Sequence, residues 1–173
     1  MTEHKGSTTL FTTETGMRPY ISAGTEDHKP ELHSRPRADA AGVGASNLDG
    51  IRAVVVEDEG ITQMQLRRSL KNAGATVVAS ATTGQEGVEA VLRERPDLVL
   101  MDVRMPGAID GLEAAQLILA QYRVCIVMLT AFSDAEYRKR ADEINVCAYL
   151  VKPVTSETLI PKLVSALRKF ESG

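Results

Sequence analysis

No run of about 18 consecutive apolar residues occurs in the 173-residue sequence, and no apolar segment follows a basic start. A membrane span and a secretion signal are both disfavoured, and the cytoplasm is the expected compartment. Excess positive charge is missing too. With 20 Lys and Arg against 23 Asp and Glu, the formal net charge is -3, so nothing supports holding a phosphate backbone and no direct DNA binding is expected. Cysteine is scarce: Cys125 and Cys147 each fall in an apolar run, where a free thiol serves as a small hydrophobe, and two such residues make no disulfide framework. The three histidines, His4, His28 and His33, lie too far apart for a compact metal site.

Apolar periodicity is also missing from the first part of the chain. From Met1 to about Leu48 the sequence is rich in Thr, Gly, Ser, Pro and charge, and Leu10, Phe11, Tyr20, Ile21 and Leu32 follow no sustained spacing. Residues 1–48 are therefore expected to form a disordered tail, unable to offset its ordering entropy, ahead of one domain over 49–173. Met17 as the true start, and a tail acting as a docking arm, both stay open. Gly42, Val43 and Gly44 have no preceding strand and no third glycine, so they make no dinucleotide turn.

After Gly50 the punctuation is regular. Short apolar strands are expected at Ile51–Val56, Thr76–Ser80, Asp97–Met101, Arg123–Leu129 and Cys147–Val151. Helices are expected at Gly60–Ala73, Gly84–Arg95, Gly111–Gln121, Asp134–Ile144 and onward to about Phe170. The first carries Ile61, Leu66, Leu70 and Ala73 inward and ends on Gly74. The Asp134–Ile144 helix has a thin inner stripe, and Pro161 predicts an irregular or short-bonded first turn in the last helix. Five alternating units joined by right-handed crossovers give an α/β three-layer sandwich around a parallel sheet.

Four of these runs end on a chemically competent residue: Glu57, Asp58 and Glu59; Asp102; Thr130; and Lys152 with Pro153. Taken singly each has a plain reading, as a solvated turn, a loop cap, a hydroxyl bonded to its own backbone or an exposed turn. Ligands collect outside the carboxyl ends of a parallel sheet, so four coincidences at that edge favour a shared site. Carboxylates crowded there repel by about 4 kcal/mol per pair at 4 Å and an effective dielectric near 20. A hard divalent cation resolves the conflict, and oxygen-only ligands favour Mg²⁺.

The blocks VVVEDE, LVLMDVRMPGAIDGLEAA, IVMLTAF and AYLVKP, in that order over about Ile51 to Phe170, resemble the signature blocks of two-component response-regulator receiver domains. Within that family the LTAFSDAEYRKRADEINVCAYLVKP stretch most resembles receivers that precede ANTAR RNA-binding domains, and the chain stops at Gly173 before such a domain. The resemblance implies a flavodoxin-like (CheY-like) fold with a five-stranded parallel sheet in the order 2-1-3-4-5. It also implies a phosphoryl group passed to one aspartate from a histidine kinase or histidine phosphotransfer protein.

On that resemblance Asp102 is the nucleophile, since a carboxylate beside a metal forms an acyl phosphate. Asp58 and Asp102 supply metal oxygens, the backbone carbonyl of Arg104 supplies another, and Glu57 acts directly or through water, where many receivers carry aspartate. Lys152 pairs with Asp102 and then with a phosphoryl oxygen, and its peptide with Pro153 is cis. Thr130 swings to the new phosphoryl, Ala131 leaves room, and Tyr149 is the switch aromatic, though alone it would read as half-buried packing. The MPGAIDG loop is one residue longer than the usual form. Arg104 and Phe132 flank the phosphoryl site, where a long cation and a ring obstruct an attacking water, so a long-lived acyl phosphate is expected.

The resulting expectation is a stand-alone signalling receiver rather than an enzyme. A haloacid-dehalogenase phosphatase would need a second aspartate two residues after Asp102, where Arg104 stands. A phosphorylation-independent docking domain, or the truncated receiver of a longer regulator, is the alternative. Whether the face of the last two helices forms a homodimer stays open, as do the kinase, the stimulus and the output.

Overall fold

The computed structural model describes residues 47–131, 139–140 and 143–173. Five parallel strands, β1 (Arg52–Val56), β2 (Thr76–Ala81), β3 (Leu98–Asp102), β4 (Cys125–Thr130) and β5 (Ala148–Val151), form one sheet in the order β2-β1-β3-β4-β5. Between them run α1 (Gly60–Asn72), α2 (Gly84–Glu94) and α3 (Gly111–Leu119), and a C-terminal helix spans Ser156–Ser172. The strand order is the one the family resemblance implies, and the described elements alternate as the sequence predicts.

Both faces of the sheet are covered, which is why its strands read as unbroken apolar runs rather than alternating ones. Val54, Val56, Val99, Met101, Ile126 and Met128 pack on one side with Val91 of α2 and Leu112 and Ile118 of α3. Their neighbours Ala53, Val55, Leu98, Leu100, Val127 and Leu129 pack on the other with Leu66 and Leu70 of α1 and Leu163 and Leu167 of the C-terminal helix. Helices α2 and α3 therefore cover one face of the sheet, and α1 and the C-terminal helix the other.

The helix ends follow local chemistry. Asp110 and Glu113 cap α3 reciprocally, with the Glu113 N–H donating to Asp110 Oδ1 at 2.8 Å and the Asp110 N–H to Glu113 Oε2 at 2.8 Å. Ala73 caps α1, and Gly74 follows with φ +93°, a left-handed conformation that glycine adopts without strain. In the C-terminal helix the Thr155 carbonyl accepts from both Thr158 and Leu159 N–H groups, at 3.1 and 2.8 Å. This is the short-bonded first turn expected ahead of Pro161.

Two expectations differ from the structure. Ile61 is 65% exposed; it lies five residues before Leu66, roughly 140° around the helix at about 100° per residue, and faces away from the sheet. Leu48, read as the end of the tail, is fully buried and donates its N–H to the Ala73 carbonyl at 2.7 Å. Packing thus begins before residue 49. The rest of the expected tail and its histidines, and Phe132, lie outside the described residues. Of the helix expected at Asp134–Ile144, positions 139–140 and 143 are described and helical, and Ile144 lies in a turn.

Gly111 marks the tightest approach at the functional edge. A Cβ there would overlap the carbonyl oxygen of Asp102, whereas one on Gly60 would meet nothing within 4 Å. Gly111→Ala is expected to lower stability by roughly 3 kcal/mol through forced backbone displacement, and Gly60→Ala to raise it by about 0.5 kcal/mol. Urea unfolding midpoints of the two variants check the contrast.

Candidate functional site

The register of the sheet sets the site. Val56 lies opposite Met101, Asp102 opposite Leu129 and Thr130 opposite Val151, so Glu57, Asp102, Thr130 and Lys152 emerge at one carboxyl edge. The turn after β1 is held by Gln63, whose side-chain amide donates to the carbonyls of Glu57 at 2.9 Å and Ala81 at 3.0 Å. On the far side, the Lys152 N–H donates to the Thr130 carbonyl at 2.6 Å, continuing the β4 to β5 ladder one residue past the strand.

At the centre, the Lys152 ammonium donates to Asp102 Oδ2 at 2.7 Å and to Glu57 Oε2 at 2.6 Å. The other Asp102 oxygen, Oδ1, accepts from the Arg104 N–H at 3.1 Å. Glu57 is 1% exposed and Asp102 8%, so both carboxylates are nearly removed from water, while Asp58 beside them is exposed. Burial pushes the Glu57 carboxyl above its ordinary range, with Asp102 adding to the rise, and the Lys152 bond only partly opposes it. For Lys152 burial acts downward, yet the bonds to Asp102 and Glu57 outweigh it and raise the ammonium above its ordinary value. An acid with a raised folded-state value adds stability below its unfolded value and loses it as pH rises through the raised one, so ionised Glu57 is a net cost at neutral pH.

Carboxylate oxygens of Glu57, Asp58 and Asp102 lie within 4.8 Å of one another. Ligands of an octahedral ion with oxygens at about 2.1 Å are separated by roughly 3 to 4 Å, so this set fits a hard divalent cation after small side-chain adjustments. The donors are all oxygen, which suits such an ion and not a soft one.

The remaining predicted residues lie on β4, on β5 and in the loops that follow them. Thr130 is buried at the end of β4, and Tyr149 is half-buried on β5. Ala131 is exposed, and the Lys152–Pro153 peptide is cis. Ala131, Lys152 and Pro153 also line a cleft of about 360 Å³ that opens toward Thr62 and Ser69 of α1. Sequence reasoning paired Lys152 with Asp102 but did not foresee its second bond to Glu57. Gln63 and Gly111 were also missed, since an exposed-type amide and one glycine among 13 carry no signal of their own.

A family profile for the response regulator receiver domain matches residues 53–164. The chain is 41% identical over 119 residues to the transcriptional regulatory protein PdtaR of Mycobacterium tuberculosis, an alignment covering 69% of this chain and 58% of that protein. It is 34% identical over 123 residues to the transcriptional regulatory protein BtsR of Escherichia coli, covering 70% of this chain and 50% of that one. The chain thus spans about half the length of the curated relatives it matches. Among solved structures, the signal receiver domain of a modulated diguanylate cyclase from Desulfovibrio desulfuricans superimposes with a TM-score of 0.66 at 32% identity, covering 70% of this chain and 97% of that one. The response regulator domain of Thermotoga maritima CheB gives 0.62 at 26% identity, covering 71% and 97%.

Removing one charge from the crowded edge should relieve it. Glu57→Gln is expected to raise the metal-free unfolding midpoint at pH 7, and to shrink the further gain on adding Mg²⁺. Thermal unfolding with and without Mg²⁺ measures both. A lower metal-free midpoint would mean that the bond to Lys152 outweighs repulsion and burial.

Proposed function

The chain belongs to the response regulator receiver domain family of two-component signalling, and from that premise we propose that Asp102 accepts a phosphoryl group from a histidine kinase or histidine phosphotransfer protein. The observation that carries this reading is the ammonium of Lys152 seated between Asp102 and Glu57, at 2.7 and 2.6 Å, with the exposed carboxylate of Asp58 alongside. Such an edge is charged, partly open and pre-balanced by one mobile cation.

A carboxylate oxygen of Asp102 forms the new P–O bond as the P–N bond to the donor imidazole breaks, and the imidazole leaves neutral. Little covalent work falls to the protein, so alignment and charge neutralisation supply most of the effect. Bonds from the Arg104 N–H and the Lys152 ammonium, one to each oxygen, fix the plane of the Asp102 carboxylate. Oxygens of Glu57, Asp58, Asp102 and the Arg104 carbonyl would hold Mg²⁺, which when bound would supply positive charge to the site. Lys152 then exchanges its carboxylate partners for a phosphoryl oxygen, a move its flexible four-carbon stem permits.

The product carries about -1.5 to -2 charge at the end of β3. Thr130, buried one strand away, turns its hydroxyl toward the phosphoryl, and Tyr149 on β5 follows into the space released. The output is a change in the protein-binding surface around β4 and β5. Thr130 lies on the strand next to the acceptor and Tyr149 on the strand beyond it, paired with Met128 of β4, which supports the coupling.

Labelling with phosphorylated kinase or acetyl phosphate in Mg²⁺ tests the assignments. Asp102→Asn is expected to abolish incorporation, and Lys152→Ala to retain it while losing the conformational response read from Tyr149. Asp58→Asn is expected to weaken Mg²⁺ binding at least about tenfold, the loss already typical of removing a metal's outer partners. Incorporation into Asp102→Asn at the wild-type level would place the acceptor elsewhere.

A further inference from the structure

Away from the acidic edge, one pair of nucleophilic side chains is in contact and takes no part in phosphoryl transfer. Cys125 opens β4, Cys147 immediately precedes β5, and both are free thiols. Val127 lies opposite Ala148, and the Cys147 N–H donates to the Ile126 carbonyl at 2.8 Å, so the two cysteines stand one residue out of register on neighbouring parallel strands. With strands about 4.8 Å apart and a rise of about 3.3 Å per residue, that diagonal corresponds to a Cα separation near 5.8 Å. Disulfides span roughly 4.4–6.8 Å.

In a regular pleat, residues on that diagonal point to opposite faces. Cys147 lies one residue before the ladder begins, and its side chain packs against the same core cluster that contains Cys125. The two side chains thus share one packing environment. Their environments differ: Cys125 is fully buried, and Cys147 is half-buried and reachable by a small molecule. The Cys125 thiol holds the Cys147 thiol below its ordinary range, assisted against burial by the Ile126 backbone and the Arg123 cation. That cation is itself anchored, donating to the Phe170 carbonyl at 3.0 Å and lying 4.4 Å over its ring. An accessible thiol favoured as thiolate, with a buried second thiol in contact, is the arrangement of an attacking and a resolving cysteine.

We propose that Cys147 and Cys125 form a two-electron redox site that is oxidised by a hydroperoxide to an intramolecular disulfide. The Cys147 sulfur attacks one peroxide oxygen; an S–O bond forms, the O–O bond breaks, and the departing oxygen leaves as water or alcohol after taking a proton. Cys125 then attacks the sulfenic sulfur, the S–S bond forms, and the hydroxyl leaves as water with the Cys125 proton. Two thiols are oxidised and one peroxide is reduced. The site lies at the amino ends of β4 and β5, opposite the acidic edge, and functions whether or not Asp102 accepts phosphate.

The full chain treated with hydrogen peroxide under native conditions, quenched, denatured and alkylated, tests this by intact mass and peptide mapping. The expected result is a loss of about 2 Da, no alkylation of either thiol, a linked Cys125–Cys147 peptide pair and reversal by dithiol. Native Cys147 should also alkylate at least about tenfold faster than Cys125. Cys125→Ser should stop at a Cys147 sulfenic acid trapped by dimedone, and Cys147→Ser should give neither product. Two thiols that remain fully alkylatable after peroxide, or a disulfide found only between chains or only in denaturant, would overturn the proposal. Because the wild-type mass and cross-link suffice, misfolding of a variant would not shield it.

Discussion

Two carboxylates buried against each other at one sheet edge are the constraint on which the rest of this structure turns. Glu57 and Asp102 expose 1% and 8% of their surface, and like charges about 4 Å apart repel by roughly 4 kcal/mol even at an effective dielectric near 20. Lys152 provides the balancing charge from a distance. In the order β2-β1-β3-β4-β5 it must reach across β4 to Asp102 on β3, and as far as Glu57 beyond β1. Only a long, flexible cation spans that interval, and glutamate, one methylene longer than aspartate, meets it part of the way. The glutamate at position 57 and the lysine after β5 thus work as a matched pair.

The sheet explains why the reactive polar groups gather at strand ends. Helices cover both faces, so every interior strand position faces apolar packing and the five residues of β3 are all buried. Polar chemistry is confined to strand ends. Between β1 and β3 the order reverses direction: α1 leaves toward one face and α3 toward the other, which opens a crevice at the carboxyl edge. Glu57, Asp58 and Asp102 occupy that crevice. Gly111 keeps α3 close enough to close its wall, since its missing side chain lets the helix start against the Asp102 carbonyl.

The parts legible in the sequence were those encoded by continuous hydrophobicity. Strands β1, β3 and β4 announced themselves because complete burial requires apolar residues at every position, and the competent residue after each run located the edge. Amphipathic assignments were weaker. Ile61 has the chemistry of a core residue and is exposed, because the phase of α1 is set by Leu66 and Leu70 over the sheet and not by its first turn. Long-range pairings were least visible. The bond between Lys152 and Glu57 joins residues 95 positions apart, and neither residue type signals a preference for the other over Asp102. Gln63 likewise reads as a surface amide until the turn it supports is seen.

Strands β4 and β5 carry contrasting groups at their two ends. Thr130 and Tyr149 lie toward the carboxyl edge, where on the proposed reading phosphoryl charge repositions them, whereas Cys125 and Cys147 meet at the amino edge. A covalent link at one end of a parallel pair fixes separation and register there, and its influence at the other end depends on how rigidly the ladder transmits it. Four register pairs, Val127 with Ala148 through Thr130 with Val151, connect the ends. The ladder continues through the Lys152 N–H to the Thr130 carbonyl at 2.6 Å, so the backbone that positions Lys152 is bonded to the residue expected to move. On the two proposals, a constraint on strand separation at Cys147 and a charge at Asp102 would act on one continuous element, from opposite ends and through chemically independent reactions. Coupling between them would need no ligand common to both, because the strand pair is the shared component.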